Sequence, residues 1–157
     1  MLEILVVDDH PLMRAGLQCL LDTTGDLHVV GTAVDGPQAL TMAEQLRPDI
    51  VLLDVCLPGM DGIEAARRLC ELGPAPAVVM LTTTCAAAVV RQAFAAGAAG
   101  YLLKDLAPER LMAALRGLAD GRPAIDARVA RILVRQRRRD QVGAGRGTGA
   151  TDQWPQA

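Results

Sequence analysis

Five apolar runs recur along this chain, each followed by a stretch with helical spacing, and that alternation restricts the fold more than any other feature. The runs lie near residues 2–7, 28–33, 49–54, 77–82 and 99–103. The helical stretches lie near 11–23, 36–46, 61–72, 86–96 and 107–120. Runs such as Ile4-Leu5-Val6-Val7 and Ile50-Val51-Leu52-Leu53 lack polar alternation, as strands buried on both faces of a parallel sheet do. Strict alternation through short connections implies parallel strands joined by right-handed crossovers, an α/β fold.

The helix ends carry their own signals. Asp35-Gly36-Pro37 opens the second helix, and Arg47-Pro48 ends it by forcing the chain toward an extended form. Asp61 is the expected N-cap of the third helix, which Gly73-Pro74 closes. Gly97 supplies a C-terminal cap for the fourth. The fifth begins Ala107-Pro108-Glu109, with Pro at the first helical position and Glu suited to the helix dipole. Only 2% of the residues are aromatic although 51% are hydrophobic, so the core must be built from Ala, Val, Leu, Ile and Met.

No apolar run approaches the roughly 18–20 residues of a membrane span. The start Met-Leu-Glu-Ile enters a strand directly, so no signal peptide and a cytoplasmic location are expected. Cys19, Cys56, Cys70 and Cys85 show neither Cys-x-x-Cys nor zinc-finger spacing and read as free thiols, with Cys19 and Cys70 as small core residues.

Three aspartates carry the chemistry. Asp8 and Asp9 close the first apolar run and Asp54 closes the third. Ligands of open parallel sheets sit outside the carboxyl ends of the strands. If those two strands are neighbours, three carboxylates meet at one edge. Two such charges about 4 Å apart repel by roughly 4 kcal/mol at an effective dielectric of about 20. A hard divalent cation offsets that repulsion, and Mg²⁺ suits one or two carboxylates plus waters and phosphate oxygens.

With Val6-Val7-Asp8-Asp9-His10-Pro11, Asp54-Val55-Cys56-Leu57-Pro58-Gly59-Met60-Asp61-Gly62, Leu81-Thr82 and Gly100-Tyr101-Leu102-Leu103-Lys104-Asp105 at successive strand ends, the chain resembles the receiver domain of bacterial response regulators over residues 2–121. In detail it resembles the NarL/FixJ branch. The resemblance implies a flavodoxin-like (βα)5 three-layer sandwich with a five-stranded parallel sheet in the order 2-1-3-4-5. It implies Asp54 as phosphoryl acceptor, Asp8 and Asp9 as Mg²⁺ ligands with Asp54 and the backbone carbonyl of Cys56, and Lys104 as a point charge on a phosphoryl oxygen. Thr82 would bond the phosphoryl group and move toward it, and Tyr101 would turn inward with it. The switching face would be the fourth helix, fifth strand and fifth helix. His10 reads as a loop or helix-start residue. Asp105 stands where many relatives carry proline, so an ordinary trans peptide is expected after Lys104.

The resemblance further implies a two-component switch phosphorylated by a sensor histidine kinase and acting as a homodimer in transcription regulation, rather than an enzyme with turnover on a metabolite. Two alternatives are a binding module that works without phosphate and a phosphatase of the haloacid-dehalogenase type. The latter needs Asp-x-Asp after the first strand, which Asp8-Asp9-His10 does not supply. Cys56 and Thr84 stand at positions that tune phosphoryl lifetime in the family, and Thr83-Thr84-Cys85-Ala86-Ala87-Ala88 replaces a more acidic loop.

Charge divides along the chain. Residues 1–127 hold 9 Lys+Arg and 16 Asp+Glu, a balance of −7, and residues 128–157 hold 7 Arg and 2 Asp, a balance of +5. Residues 1–121 read as the receiver. Residues 122–142 read as a basic linker with a further helix over 125–139, whose Arg131, Arg135, Arg137, Arg138 and Arg139 read as solvated. Residues 143–157 read as a disordered tail. A helix-turn-helix module needs roughly 55–65 residues, and 36 follow Gly121. Contact with DNA is therefore expected only through an output domain outside this chain.

Overall fold

The computed structural model describes the backbone of residues 1–151 and the side chains of residues 1–144. Strands β1 (Leu2–Val7), β2 (Leu27–Ala33), β3 (Ile50–Leu53), β4 (Ala77–Thr82), β5 (Gly100–Leu103) and β6 (Ala124–Ile125) alternate with helices α1 (Pro11–Asp22), α2 (Gly36–Leu46), α3 (Gly62–Cys70), α4 (Ala87–Ala95), α5 (Pro108–Ala119) and α6 (Ala127–Thr151). All pairings are parallel and the order is β2-β1-β3-β4-β5-β6. The expected flavodoxin-like order is present, and a two-residue sixth strand is added at the β5 edge.

The period-2 geometry of the strands sorts the core into two layers. Leu5, Val7, Val51, Leu53, Val78 and Met80 face α2, α3, α4 and α6. Ile4, Val6, Ile50, Leu52, Val79 and Leu81 face α1 and α5. Successive strand side chains point to opposite faces, so unbroken apolar runs can feed both layers. The first layer takes mainly alanines from its helices, among them Ala39, Ala43, Ala65, Ala66 and Ala93, which lets those helices lie close to the sheet.

The caps follow the chemistry of the ends. The Asp35 and Asp61 carboxylates accept from the backbone N–H groups of Gln38 (2.8 Å) and Ile63 (2.7 Å). Ala107 occupies the α5 N-cap with no side-chain bond, and Pro108 follows. Arg47 ends α2 in the left-handed region at φ 48°, unusual for a residue with a Cβ. Cys70 is half-buried, but Cys19 is exposed, contrary to expectation. It lies two residues beyond buried Leu17, which turns it about 200° around α1 and away from the sheet.

The region after Gly121 is more ordered than its composition suggests. β6 pairs with β5, and α6 then folds back, with Val129 fully buried and Leu133 packed against the first layer. The helical backbone runs on to Thr151, across part of the segment expected to lack structure. Each added helical residue contributes one backbone bond once the docked turns exist. Residues 152–157 lie outside the described residues. No helix among those described is long and apolar enough to cross a membrane.

Candidate functional site

The strand order places β1 between β2 and β3, the reversal point at which such sheets open a crevice. Backbone bonds carry the ladder past the last strand residues. The Asp54 N–H donates to the Val7 carbonyl (3.1 Å), the Asp8 N–H to Ala33 (3.1 Å) and the Lys104 N–H to Thr82 (2.9 Å). Asp8, Asp54, Thr82 and Lys104 thus stand side by side at one pole of the sheet.

Lys104 is the hub. Its Nζ lies 2.7 Å from Asp8 Oδ2 and 2.7 Å from Asp54 Oδ2. Asp8 is 2% exposed and Asp54 4%. Burial alone would raise the Asp8 carboxyl. Bonds from Lys104 and from the His10 backbone and ring outweigh it and hold Asp8 below its usual value. Burial alone would likewise lower the Lys104 ammonium, but its bonds to Asp54 and Asp8 outweigh that and raise it. A single ammonium thus offsets two buried carboxylates.

Asp9 is more open. Side-chain atoms of Asp8, Asp9, His10 and Asp54 all lie within 4.8 Å of one another. The three carboxylates offer the hard oxygens that magnesium prefers. With Lys104 they leave two net negative charges, which a divalent ion would balance. His10 Nδ1 sits 2.9 Å from Asp8 Oδ1 and 3.0 Å from Asp9 Oδ1, and His10 is the N-cap residue of α1. The Cys56 N–H donates to Asp54 Oδ1 (3.2 Å) while its side chain is exposed.

Thr82 is fully buried, and its Oγ1 finds no hydrogen-bond partner among the described residues. An unmade buried bond costs about 1–3 kcal/mol, so this hydroxyl is poised for a partner that enters the site. Tyr101 is fully buried, and its OH donates to the Thr84 carbonyl at 2.6 Å. The ring is thus already turned inward. Burial pushes its phenol up to about 12, helped by the nearby Cys85, Asp54 and Cys56.

Two supports escaped the sequence reading. Gly62 opens α3 against the loop that follows Asp54, with its N–H bonded to the Val55 carbonyl (2.9 Å). A Cβ there would stand 2.2 Å from the Asp54 carbonyl oxygen, so only glycine fits. The Asp61-Gly62 pair had signalled a helix start but not this close approach. The Arg14 guanidinium donates to the Asp8 carbonyl at 2.5 Å, a contact that no local sequence signal announces. The peptide after Lys104 is trans, as expected.

Residues 4–116 match the family described as response regulator receiver domain, well over half of the chain. The chain belongs to the response regulator receiver family. This receiver is 36% identical over 138 residues to the transcriptional regulatory protein LiaR of Bacillus subtilis, covering 87% of the chain and 65% of that relative. It is 38% identical over 131 residues to the nitrate/nitrite response regulator protein NarL of Escherichia coli, covering 83% and 61%. The receiver thus spans less than two thirds of the length of these relatives. A LuxR family two-component response regulator from Aurantimonas sp. superimposes with a TM-score of 0.81 at 33% identity, covering 87% of this chain and 98% of that one. The receiver is of the NarL/LuxR type.

Proposed function

We propose that Asp54 is the phosphoacceptor of a two-component switch, phosphorylated from the phosphohistidine of a sensor histidine kinase. The observation that carries this reading is the Lys104 ammonium, 2.7 Å from Asp54 Oδ2, at the same pole as the orphaned Thr82 hydroxyl. Together they form a carboxylate nucleophile with a cation and a hydroxyl donor on hand for a tetrahedral anion.

In the proposed reaction one Asp54 oxygen attacks phosphorus. The O–P bond forms as the P–N bond of the donor breaks, and the imidazole leaves with the electron pair. Lys104 exchanges Asp54 for a phosphoryl oxygen, keeping its charge paired. The Thr82 hydroxyl donates to another oxygen and satisfies its buried donor. Asp8, Asp9, Asp54 and the Cys56 carbonyl would hold Mg²⁺, which when bound supplies positive charge to the carboxylates and to the phosphoryl oxygens. Hydrolysis of the aspartyl phosphate resets the switch, without turnover on a metabolite.

Thr82 moving onto the phosphoryl group holds Tyr101 inward and reshapes the α4-β5-α5 face. That face is already overlaid: β6 lines β5, and the Gln136 side chain on α6 donates to the Ala87 carbonyl on α4 (3.0 Å). The signal therefore passes first into β6 and α6. It then controls homodimerisation and, through an output domain, transcription in the cytoplasm. Intact mass after treatment with acetyl phosphate and Mg²⁺, with sizing of the same sample, tests the reading. One acid-labile phosphoryl group and a shift toward dimer are expected, and Asp54→Asn should take up none. Full labelling of that variant would refute the assignment.

A further inference from the structure

We propose that the solvent face of α6 binds the phosphate backbone of double-stranded nucleic acid. Buried Val129 and partly buried Leu133 and Gln136 define the side of α6 that lies on the domain. At about 100° per residue, Arg131, Arg135 and Arg138 fall on the opposite side, with exposed Val134 and Val142 between and beyond them. Arg131 and Arg138 are two turns apart, about 10.5 Å along the axis. Sequence does not fix which side of the helix docks, so these arginines read there only as a solvated linker.

The charges on that face are unspent. Arg67, Arg68, Arg116, Arg122 and Arg128 each hold a carboxylate. Among the described residues, Arg131, Arg135 and Arg138 have no hydrogen-bond or ion-pair partner. Asp140, the one acid in the described side chains of α6, falls by helical spacing on the docked side. A helix projecting a row of free arginines complements a polyanion.

The remaining surface chemistry selects among polyanions. No aromatic side chain lies between Ala127 and Ala144, so nothing stacks on unpaired bases or wedges into a lipid surface. Contact with regularly spaced phosphates needs neither. Pairing with α6 of a second copy would bring like charges together. None of these arginines bonds to Asp54 or Lys104 among the described residues, so the unphosphorylated chain serves for the binding test.

The test is fluorescence anisotropy of a short labelled duplex of arbitrary sequence with the full chain, over a salt series. Three phosphate contacts predict a slope of log K against log salt of about −2.7. Arg131→Gln/Arg135→Gln/Arg138→Gln should weaken binding by on the order of tenfold or more at low salt and flatten that slope. Gln supports a helix nearly as well as Arg, and circular dichroism checks that α6 persists. Arg67→Gln/Arg68→Gln, which removes partnered charges elsewhere, should bind as the parent does. No duplex binding at low salt, or undiminished binding by the triple variant, overturns the proposal. So does binding only to phosphatidylserine vesicles, or a salt-sensitive self-association that the triple variant abolishes while duplex binding is absent.

Discussion

Lys104→Met should destabilise the magnesium-free protein by about 3–5 kcal/mol, the usual loss when one partner of a buried ion pair is removed. The ammonium is 10% exposed and touches side chains that are 3% and 5% exposed, so solvent screens little of the interaction. At 2.7 Å and an effective dielectric of about 20, each contact is worth about 6 kcal/mol of gross attraction; burial of the charges offsets part of it. The sign with pH follows. Without Lys104, the burial that raises the Asp8 carboxyl is no longer outweighed by the ammonium. The variant is therefore weakest where that carboxylate stays ionised, and recovers as pH falls. In the parent, Asp8 is depressed and Lys104 raised. The Asp8 contribution is present above its unfolded pKa and lost as pH falls through the folded one. The Lys104 contribution is full below its unfolded pKa and lost as pH rises through the folded one. Urea unfolding followed by circular dichroism, at pH 5 and 7.5 and with and without Mg²⁺, reads all of this. Mg²⁺ should stabilise the variant more than the parent, because it binds a folded site with one more net negative charge. A variant as stable as the parent without Mg²⁺, or equal Mg²⁺ gains in both, would refute the reasoning.

Three further outcomes are expected. Thr82→Val removes a buried hydroxyl without a partner and should raise stability by about 1 kcal/mol, seen in urea midpoints, while slowing acetyl phosphate labelling; lower stability would mean that the hydroxyl is already bonded. Gly62→Ala should lose at least about 1–3 kcal/mol, because its Cβ meets backbone at 2.2 Å rather than a movable side chain; a neutral result would place α3 farther from Asp54. Tyr101 is the sole tyrosine, so absorbance titration of the phenol isolates it. It should ionise near pH 12, and ionisation near 10 would mean that the ring is not buried.

The parts of the fold that were legible are those set by local chemistry. Apolar runs gave β1 and β4 their full bounds, and Asp35 and Asp61 marked helix starts because a short carboxylate reaches the next N–H groups. The acidic pole was legible because parallel strands end at one edge. Position within the fold was harder to read. Cys19 looks apolar in sequence, yet helical geometry turns it outward. Gly62 resembles any glycine at a helix start until α3 is seen pressing on the Asp54 backbone. β6 and the α6 docking rest on Ala124, Val129 and a clamp in which Arg128 holds both Asp105 and Asp126. That clamp joins residues 21 and 23 positions from Asp105, a separation no local pattern encodes.

Lys104 and Thr82 are proposed to wait beside Asp54 for a phosphoryl group. A crystal structure with Mg²⁺ and beryllofluoride would show whether they do. Beryllium should be bonded to an Asp54 carboxylate oxygen, with Lys104 Nζ moved from the carboxylate to one fluorine, Thr82 Oγ1 donating to another, and Mg²⁺ held by Asp8 and Asp54. An adduct on another residue, or Lys104 still bridging Asp8 and Asp54 with Thr82 unpartnered, would contradict it.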